Sequence, residues 1–170
     1  MKRFLDIILS LIAILILSPL LLPIMIFLKF TGEGYIFYKQ QRIGKNEDFF
    51  GLLKFATMFK ESPDMEGGNI TRKDDPRILP FGKFLRKYKI NELPQIINVL
   101  IGDMSIIGRR PTVKEHFDFY DEEVKIIISK LKPGLSGVSS IVFRNEDQFF
   151  TGLSPAENKK IYRDQIAPFK

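Results

Sequence analysis

The stretch RKYKINELPQIINVLIGDMSIIGRRP, residues 86–111, decides how the chain folds. Apolar side chains recur in it at helical spacing, at Leu93, Ile96, Ile97, Leu100 and Ile101. The spacing i, i+3, i+4, i+7 and i+8 predicts a helix that starts near Asn91 and turns one apolar face to a core. Gly102 is expected to end that helix.

The start of this helix is also the best candidate for a functional site. Asn91 is a good N-cap and Pro94 is tolerated in the first turn, so Glu92 falls where the helix dipole presents positive potential. The basic side chains on either side of it are Arg86, Lys87, Lys89, Arg109 and Arg110. These groups predict a site for an anion or a metal-bound phosphate.

Length and composition limit the classes of protein. At 170 residues the chain has room for one membrane anchor and one compact domain. Lys and Arg outnumber Asp and Glu by 26 to 20, which predicts anionic partners such as nucleic acid, acidic lipids or nucleotide phosphates. The absence of cysteine excludes disulfides and thiolate metal sites, and a single histidine, His116, excludes a multi-histidine site. This composition fits the cytoplasmic side of a membrane.

An apolar run of 22 residues without a charge, residues 7–28, predicts a membrane helix. It is too long for a signal-peptide core. Pro19 and Pro23 each remove a helical hydrogen bond, so the helix has a cause to bend near Ser18 and return to the side it came from. Basic residues flank both ends, which by the positive-inside rule favours the cytoplasm for both. The alternative is a kinked single-pass helix.

Beyond the anchor, short elements follow. Asp6 is expected to pair with Lys2 or Arg3. Residues 34–58 predict a β-hairpin around the polar turn at 45–48, with Lys54 either contacting a phosphate or solvated on its strand. The charged run at 72–75 is expected to be solvated.

The second half predicts further helices. Residues 81–87 form a basic amphipathic piece that either lies at the lipid headgroups or packs Phe81, Phe84 and Leu85 inward. Residues 113–130 predict one helix with His116 on its polar face. Residues 139–143 predict a strand, followed by Arg144 and a short helix from Ser154.

Three spaced motifs carry a family resemblance: NELPQ at 91–95, GDMS at 102–105 and GRRP at 108–111. Together they resemble the catalytic segment of the bacterial sugar transferases known as small monotopic phosphoglycosyl transferases, whose pattern is DELPQ, GDMS and GPRP. The hairpin and the KPGLSGV stretch at 132–138 are also similar to that family. The chain departs from the pattern at Asn91, where the family has a nucleophilic aspartate, and at Ala56 and Arg109.

The resemblance implies an α+β fold in two parts. Residues 1–30 would form a re-entrant membrane helix, broken as helix-break-helix at Ser18-Pro19. Residues 31–170 would form a cytoplasmic domain of helices and a β-hairpin, with interfacial amphipathic helices. The protein would lie at the cytoplasmic face of the bacterial inner membrane as a monotopic protein. Members of the family usually extend further at the C terminus.

The resemblance also implies a reaction, the transfer of a phosphosugar from a UDP-sugar to polyprenyl phosphate as the first membrane step of surface glycan assembly. Glu92 would hold Mg²⁺, while Lys54, Arg109 and Arg110 would bind substrate phosphates. Membrane lipid and downstream glycosyltransferases are the further partners. No nucleic acid is expected, since the sequence has no recognised nucleic-acid motif. Asp103 is a second carboxylate, for which we favour a structural role in its turn.

Asn91 leaves three explanations open. In the family mechanism the aspartate attacks the β-phosphate and holds the phosphosugar covalently, which a neutral amide cannot do. Asn91 is then an engineered substitution, or a natural residue in an enzyme that uses Glu92 or direct attack by the lipid phosphate, or the mark of a non-catalytic relative that binds a nucleotide-sugar, a lipid phosphate or a partner enzyme. The departures at Ala56 and Arg109 favour a natural divergent branch over a single engineered change.

Overall fold

The structure is a computed structural model that describes residues 1–65, 71, 75–143, 157, 160, 161, 163 and 164. Its architecture is α+β, as predicted. The helices are α1 (Lys2–Phe30), α2 (Pro80–Lys87), α3 (Gln95–Ile101), α4 (Lys114–Phe117), α5 (Glu122–Ser129) and α6 (Val138–Val142). Strands β1 (Phe37–Ile43) and β2 (Phe49–Phe55) form an antiparallel hairpin, and β3 (Ser105–Ile107) pairs in parallel with β4 (Gly134–Ser136).

Helix α1 continues through both of its prolines and is not divided at Ser18-Pro19. Pro19 has no N–H to donate to the carbonyl of Leu15. The Ser18 hydroxyl donates to that same carbonyl at 2.8 Å. The side chain therefore replaces the missing backbone donor, and the helix continues across the position where a division into two helices was predicted.

The N-terminal end of α1 is bound to the globular part by polar contacts. The Asp6 carboxylate accepts hydrogen bonds from the Ser105 hydroxyl at 3.1 Å and from the Ile106 amide at 3.0 Å. Arg3 donates to the carbonyls of Val99 and Leu100 at the C-terminal end of α3, and Lys2 donates to the carbonyl of Ile107. The predicted pairing of Asp6 with Lys2 or Arg3 is wrong, because backbone groups of β3 and α3 bind these charges instead.

The C-terminal end of α1 contacts the same globular part through apolar side chains. Ile24 and Leu28 are buried in one cluster with Phe55 and Leu85. Between the two ends the helix is open, with Leu15 74% exposed. By length and composition α1 could cross a membrane, and it is the one such helix among the described residues.

The predicted hairpin is confirmed, and α3 packs on it. A 3₁₀ turn, Lys45–Glu47, joins the strands. Leu52 of β2 is buried with Val99 and Met104. The side-chain amide of Asn98 accepts from the Leu53 N–H and donates to the Gly51 carbonyl, each at 2.9 Å. These bonds fix α3 to the strand that carries Lys54.

Helix α3 differs from its prediction in start and in orientation. Residues 90–92 form a 3₁₀ turn, and the α-helix begins only at Gln95. Its buried residues are Gln95, Ile96, Asn98 and Val99. Ile97 and Ile101, which were expected to face the core, are 36% and 64% exposed, because Asn98 needs the hairpin side for its two backbone bonds. Gly102 ends the helix at φ +103°, as predicted.

Helix α2 approaches the hairpin closely. A Cβ at Gly82 would lie 2.2 Å from the Thr57 carbonyl oxygen, so only glycine fits there. Leu85 is fully buried, as expected if α2 packs its apolar side chains inward. Phe84, which was expected to pack inward with it, remains 49% exposed.

The rest of the chain corrects four further predictions. Residues 113–130 form two short helices instead of one. The backbone is extended at Asp121, and this residue is the N-cap of the second helix, α5. His116 is buried and stacks on Phe119 at 6.0 Å between ring centroids. Of the charged run at 72–75, which was expected to be solvated, Asp75 is instead buried in an ion pair with Arg77 at 2.7 Å, and residues 72–74 lie outside those that the structure describes.

The predicted strand at 139–143 is instead a helix, α6, which follows the β4 strand after Gly137. The expectations for Arg144 and for a helix beginning at Ser154 fall on residues outside those that the structure describes.

Candidate active site

The candidate site is built around the 3₁₀ turn Ile90–Glu92, between α2 and α3. Lys89 enters the turn in the left-handed region at φ +58°. The turn buries Asn91 to 5% exposure and leaves Glu92 half-buried. Four cations from β2, α2, the turn and the segment after β3 act on the Glu92 carboxylate: Lys54, Arg110, Lys89 and Arg86.

These cations decide the charge of Glu92. Burial raises the pKa of the Glu92 carboxyl, but the four cations outweigh that effect and hold the pKa below its usual range. Glu92 is therefore ionised at neutral pH, and the site combines one carboxylate with an excess of positive charge. Such a site suits a bound group that carries more than one negative charge.

Lys54 is the most perturbed of the cations. Burial lowers its pKa from 10.5 to about 7; Glu92 opposes this shift, and the neighbouring arginines add to it. Its Nζ donates to the side-chain oxygen of Gln40 at 3.3 Å, and Arg42 donates to the same oxygen at 2.6 Å. Lys54 thus belongs to the cluster, and the alternative of a solvated strand lysine is wrong.

Asn91, the residue before Glu92, has a buried side-chain oxygen. Among the described residues its side-chain Oδ1 has no hydrogen-bond partner. An unpartnered buried polar atom costs free energy, and a ligand can offset that cost by contributing a donor or a cation. The Asn91 amide oxygen is therefore available as a neutral ligand atom in the residue before Glu92.

The residues around Glu92 fit Mg²⁺ only as an ion shared with a substrate. No group of three or more His, Cys, Asp or Glu that could hold a metal occurs in the part of the chain that the structure describes. Mg²⁺ is commonly bound by one or two carboxylates together with substrate phosphates and water. Glu92 with the Asn91 oxygen matches that mode and does not form a closed protein cage.

The structure separates the two adjacent arginines. Arg110 acts electrostatically on both Glu92 and Lys54. Arg109 points elsewhere, since its guanidinium donates to the carbonyls of Ile128, Ile43 and Gly44 at 2.9, 3.0 and 2.7 Å. It ties α5 to the hairpin, and this placement does not support the predicted substrate contact for Arg109.

Asp103 has the structural surroundings predicted for it. Its carboxylate accepts from the Asn98 side-chain amide at 3.1 Å, and the Met104 N–H donates to the Asn98 carbonyl. Asp103 therefore steadies the same asparagine that fixes α3 to β2.

Comparison with known proteins shows the family of the chain. Residues 1–163 match the family model described as "Bacterial sugar transferase". The chain belongs to the bacterial sugar transferase family. This finding confirms the family resemblance that was inferred from the motifs at 91–95, 102–105 and 108–111.

Several relatives of this bacterial sugar transferase are similar to it over most of its length. It is 36% identical to the exopolysaccharide production protein ExoY of Sinorhizobium fredii, over 99% of this chain and 82% of the relative. It is 37% identical to the UDP-N-acetylgalactosamine-undecaprenyl-phosphate N-acetylgalactosaminephosphotransferase of Aeromonas hydrophila and 38% identical to the UDP-glucose:undecaprenyl-phosphate glucose-1-phosphate transferase of Xanthomonas campestris. These two alignments cover 83% and 85% of this chain but only 34% and 31% of the longer relatives.

Two residues of the transferase site, Gln40 and Arg42, were missed by the sequence analysis. The hairpin register pairs Tyr38 with Lys54 and Gln40 with Leu52, so side chains at alternate positions share a face. Counting back from Lys54 in that register would have placed Gln40 and Arg42 on its face. Arg42 further donates to the Pro111 carbonyl at 3.0 Å, which holds the segment after Arg110 against the hairpin.

Proposed function

We propose that this bacterial sugar transferase transfers a phosphosugar from a UDP-sugar to polyprenyl phosphate, as the first membrane step of surface glycan assembly. The observation that carries the proposal is the ionised Glu92 among four cations, on a domain that binds both ends of a membrane-length apolar helix. The names of the relatives, which include undecaprenyl-phosphate phosphotransferases, support the same reaction class.

The cations fit the diphosphate of the donor. Phosphoryl transfer depends mainly on positioning and on stabilising the negative charge that develops on the transferred group. The guanidinium groups of Arg110 and Arg86 offer planar two-point contacts to phosphate oxygens, and Lys54 offers a point charge. Bound Mg²⁺ would be held by Glu92 and the Asn91 oxygen, and it would neutralise part of the diphosphate charge.

Direct attack by the acceptor is the mechanism that best fits Asn91. An amide cannot form the phosphosugar ester that the family resemblance implies for aspartate. In the proposed step, an oxygen of the lipid phosphate forms a bond to the β-phosphorus of the UDP-sugar. The bond from that phosphorus to the bridging oxygen breaks, and UMP leaves with the electron pair. The acceptor phosphate is already ionised at neutral pH, so the step needs no general base.

The membrane arrangement is part of the proposal. Helix α1 would bend at Pro19 without being divided, enter the cytoplasmic face of the inner membrane and return as a monotopic anchor, with α2 lying at the headgroups. Two observations support this: both ends of α1 contact one domain, and Pro19 removes a backbone hydrogen bond near the middle of the apolar run, which gives the helix a cause to bend there. A downstream glycosyltransferase would then extend the lipid-linked sugar.

A UMP-release assay tests the reaction. We expect purified full-length protein to release UMP when it is given Mg²⁺, undecaprenyl phosphate and one of a panel of UDP-sugars. Glu92→Gln should lower the rate about 100-fold or more, the usual loss when one preorganised charge is removed from a transition state. Glu123→Gln, in exposed α5, serves as the matched control and should leave the rate unchanged. Binding of a UDP-sugar without UMP release would favour the alternative, a non-catalytic relative.

Asn91→Asp distinguishes the mechanisms in the same assay. Direct transfer predicts that the unaltered chain releases UMP only when the lipid phosphate is present. If Asn91→Asp releases UMP without the lipid phosphate and retains the labelled phosphosugar on the protein, the unaltered chain has lost its nucleophile and direct transfer is wrong.

A further inference from the structure

A row of four aromatic rings runs from the membrane helix to the candidate site. It consists of Phe27 of α1, Phe81 and Phe84 of α2, and Tyr88, the residue that ends α2. Ring centroids are 4.3 Å apart between Phe27 and Phe81, 5.9 Å between Phe81 and Phe84, and 5.0 Å between Phe84 and Tyr88. We call these four residues the aromatic row.

Most of the aromatic row is exposed, and a different residue of α2 fills the apolar cluster beneath the helix. Leu85 of the same helix is fully buried and fills the cluster with Phe55 and Ile24. Phe27, Phe84 and Tyr88 remain 46%, 49% and 57% exposed. Exposed aromatic side chains in a continuous line mark a surface that binds an apolar partner more often than they serve the core.

The aromatic row ends one residue before Lys89 of the cation cluster. Tyr88 is followed by Lys89 and by the turn that holds Glu92, and Arg86 precedes Tyr88 by two residues. Helix α2 contacts that turn. One end of the row therefore lies on the apolar helix α1, and the other end directly precedes the turn that carries Glu92.

We propose that the aromatic row binds the polyprenyl chain of the acceptor and so presents its phosphate to the cation cluster. This inference rests on the proposed function and deepens it by assigning a site for the acceptor tail. A polyprenyl phosphate carries its phosphate directly on the end of an apolar chain, without a glycerol backbone between them. That shape matches the aromatic row, whose last residue, Tyr88, directly precedes Lys89 of the cation cluster.

Ordinary bilayer lipid is the competing occupant. Aromatic residues are common at membrane interfaces, where they contact headgroups and acyl chains without selecting one lipid. The two occupants differ in one measurable respect. A specific tail site saturates with polyprenyl phosphate, whereas contact with bulk lipid rises in proportion to the lipid present.

Photocrosslinking from within the row tests the inference without requiring turnover. The photoreactive residue p-benzoylphenylalanine replaces Phe84 in the full chain, reconstituted in nanodiscs with radiolabelled undecaprenyl phosphate. The control carries the same residue at Leu15, which is exposed near the middle of α1. We expect crosslinking at 84 to saturate and to be displaced by unlabelled undecaprenyl phosphate but not by equal amounts of phosphatidylglycerol. Crosslinking at 15 should rise linearly.

Crosslinking at 84 that does not saturate, or that phosphatidylglycerol displaces equally well, would overturn the tail site. Saturable crosslinking in a protein that never releases UMP would count against the proposed reaction alone. The two failures are therefore distinguishable.

Kinetics give a second measurement. Phe84→Ala and Tyr88→Ala should each raise KM for undecaprenyl phosphate about two- to tenfold, the effect of one lost aromatic contact, and leave KM for the UDP-sugar unchanged. Phe30→Ala, at an exposed phenylalanine of α1 outside the row, is the matched control. The effect should disappear with dimethylallyl phosphate, whose tail is too short to follow the row. An unchanged KM for undecaprenyl phosphate in both variants would contradict the inference.

Discussion

Lys54 gives the candidate site its sensitivity to pH. Burial lowers its pKa to about 7, so the folded protein holds a charged lysine below that pH and a neutral one above it. A neutral amine attracts a diphosphate less than an ammonium does. We therefore expect the Kd for a UDP-sugar to rise as the pH increases from about 6 to about 8.5, measured by calorimetry on the full chain. Lys54→Arg keeps its charge throughout this range and should remove most of the rise.

Proton uptake provides an independent check on the same residue. A bound diphosphate stabilises the charged form of Lys54, so binding above pH 7 should take up a proton, which appears as a dependence of the binding enthalpy on buffer. Lys83→Arg, at an exposed lysine of α2, is the matched control and should keep both effects. A Lys54→Arg variant with the unaltered pH profile would show that another group titrates.

The role of a single residue could be predicted where its neighbours in the sequence also belong to its surroundings in the fold. Glu92, Lys54 and Arg110 were singled out from the sequence, and the structure brings them together. Arg109 was not predictable from its motif, because its guanidinium is directed by carbonyls from two distant segments, at Ile43 and Ile128. Those partners become neighbours only when the chain is folded.

At the scale of the elements, Asp6 decides how α1 is attached to β3. It is buried, and its two bonds satisfy the Ser105 hydroxyl and the Ile106 amide. Asp6→Leu leaves both donors without an acceptor, so we expect a loss of about 1–3 kcal/mol in the free energy of unfolding. The measurement is denaturant unfolding in detergent micelles, followed by circular dichroism.

Asp6→Asn is the matched control for this prediction. Asparagine keeps an oxygen at the same position and can accept from the same two donors, so it should cost much less than leucine. Equal losses in the two variants would mean that the negative charge of Asp6, rather than its hydrogen bonds, holds α1 in place.

The sequence patterns predicted where helices and strands occur better than they predicted which face of each is buried. The hairpin and the end of α3 at Gly102 followed from turn residues, which act locally. The buried face of α3 did not follow, since the side-chain bonds of Asn98 to β2 outweigh the apolar pattern. Similarly, α6 replaces a predicted strand, because the β-branched residues around it form a run too short to specify its own secondary structure.

For the whole molecule, the decisive question is on which side of the membrane α1 has its ends. A straight helix of 29 residues is about 43 Å long, more than the roughly 30 Å of a hydrocarbon core. A perpendicular span would therefore carry its ends to opposite faces. Asp6 near one end and Leu28 near the other both contact the same globular part, which favours two ends at one face.

Cysteine labelling tests this topology cleanly, because the chain has no native cysteine. Single cysteines are introduced between Met1 and Lys2, at Phe30→Cys, and at Glu123→Cys as the reference for the globular part. In membrane vesicles of known orientation, we expect an impermeant maleimide to label all three from the cytoplasmic side only. Leu15→Cys should be protected from both sides, because the apolar middle of α1 lies in the hydrocarbon. Labelling of the N-terminal cysteine from the opposite side would show that α1 spans the membrane. The proposed membrane arrangement, on which the acceptor site depends, would then be wrong.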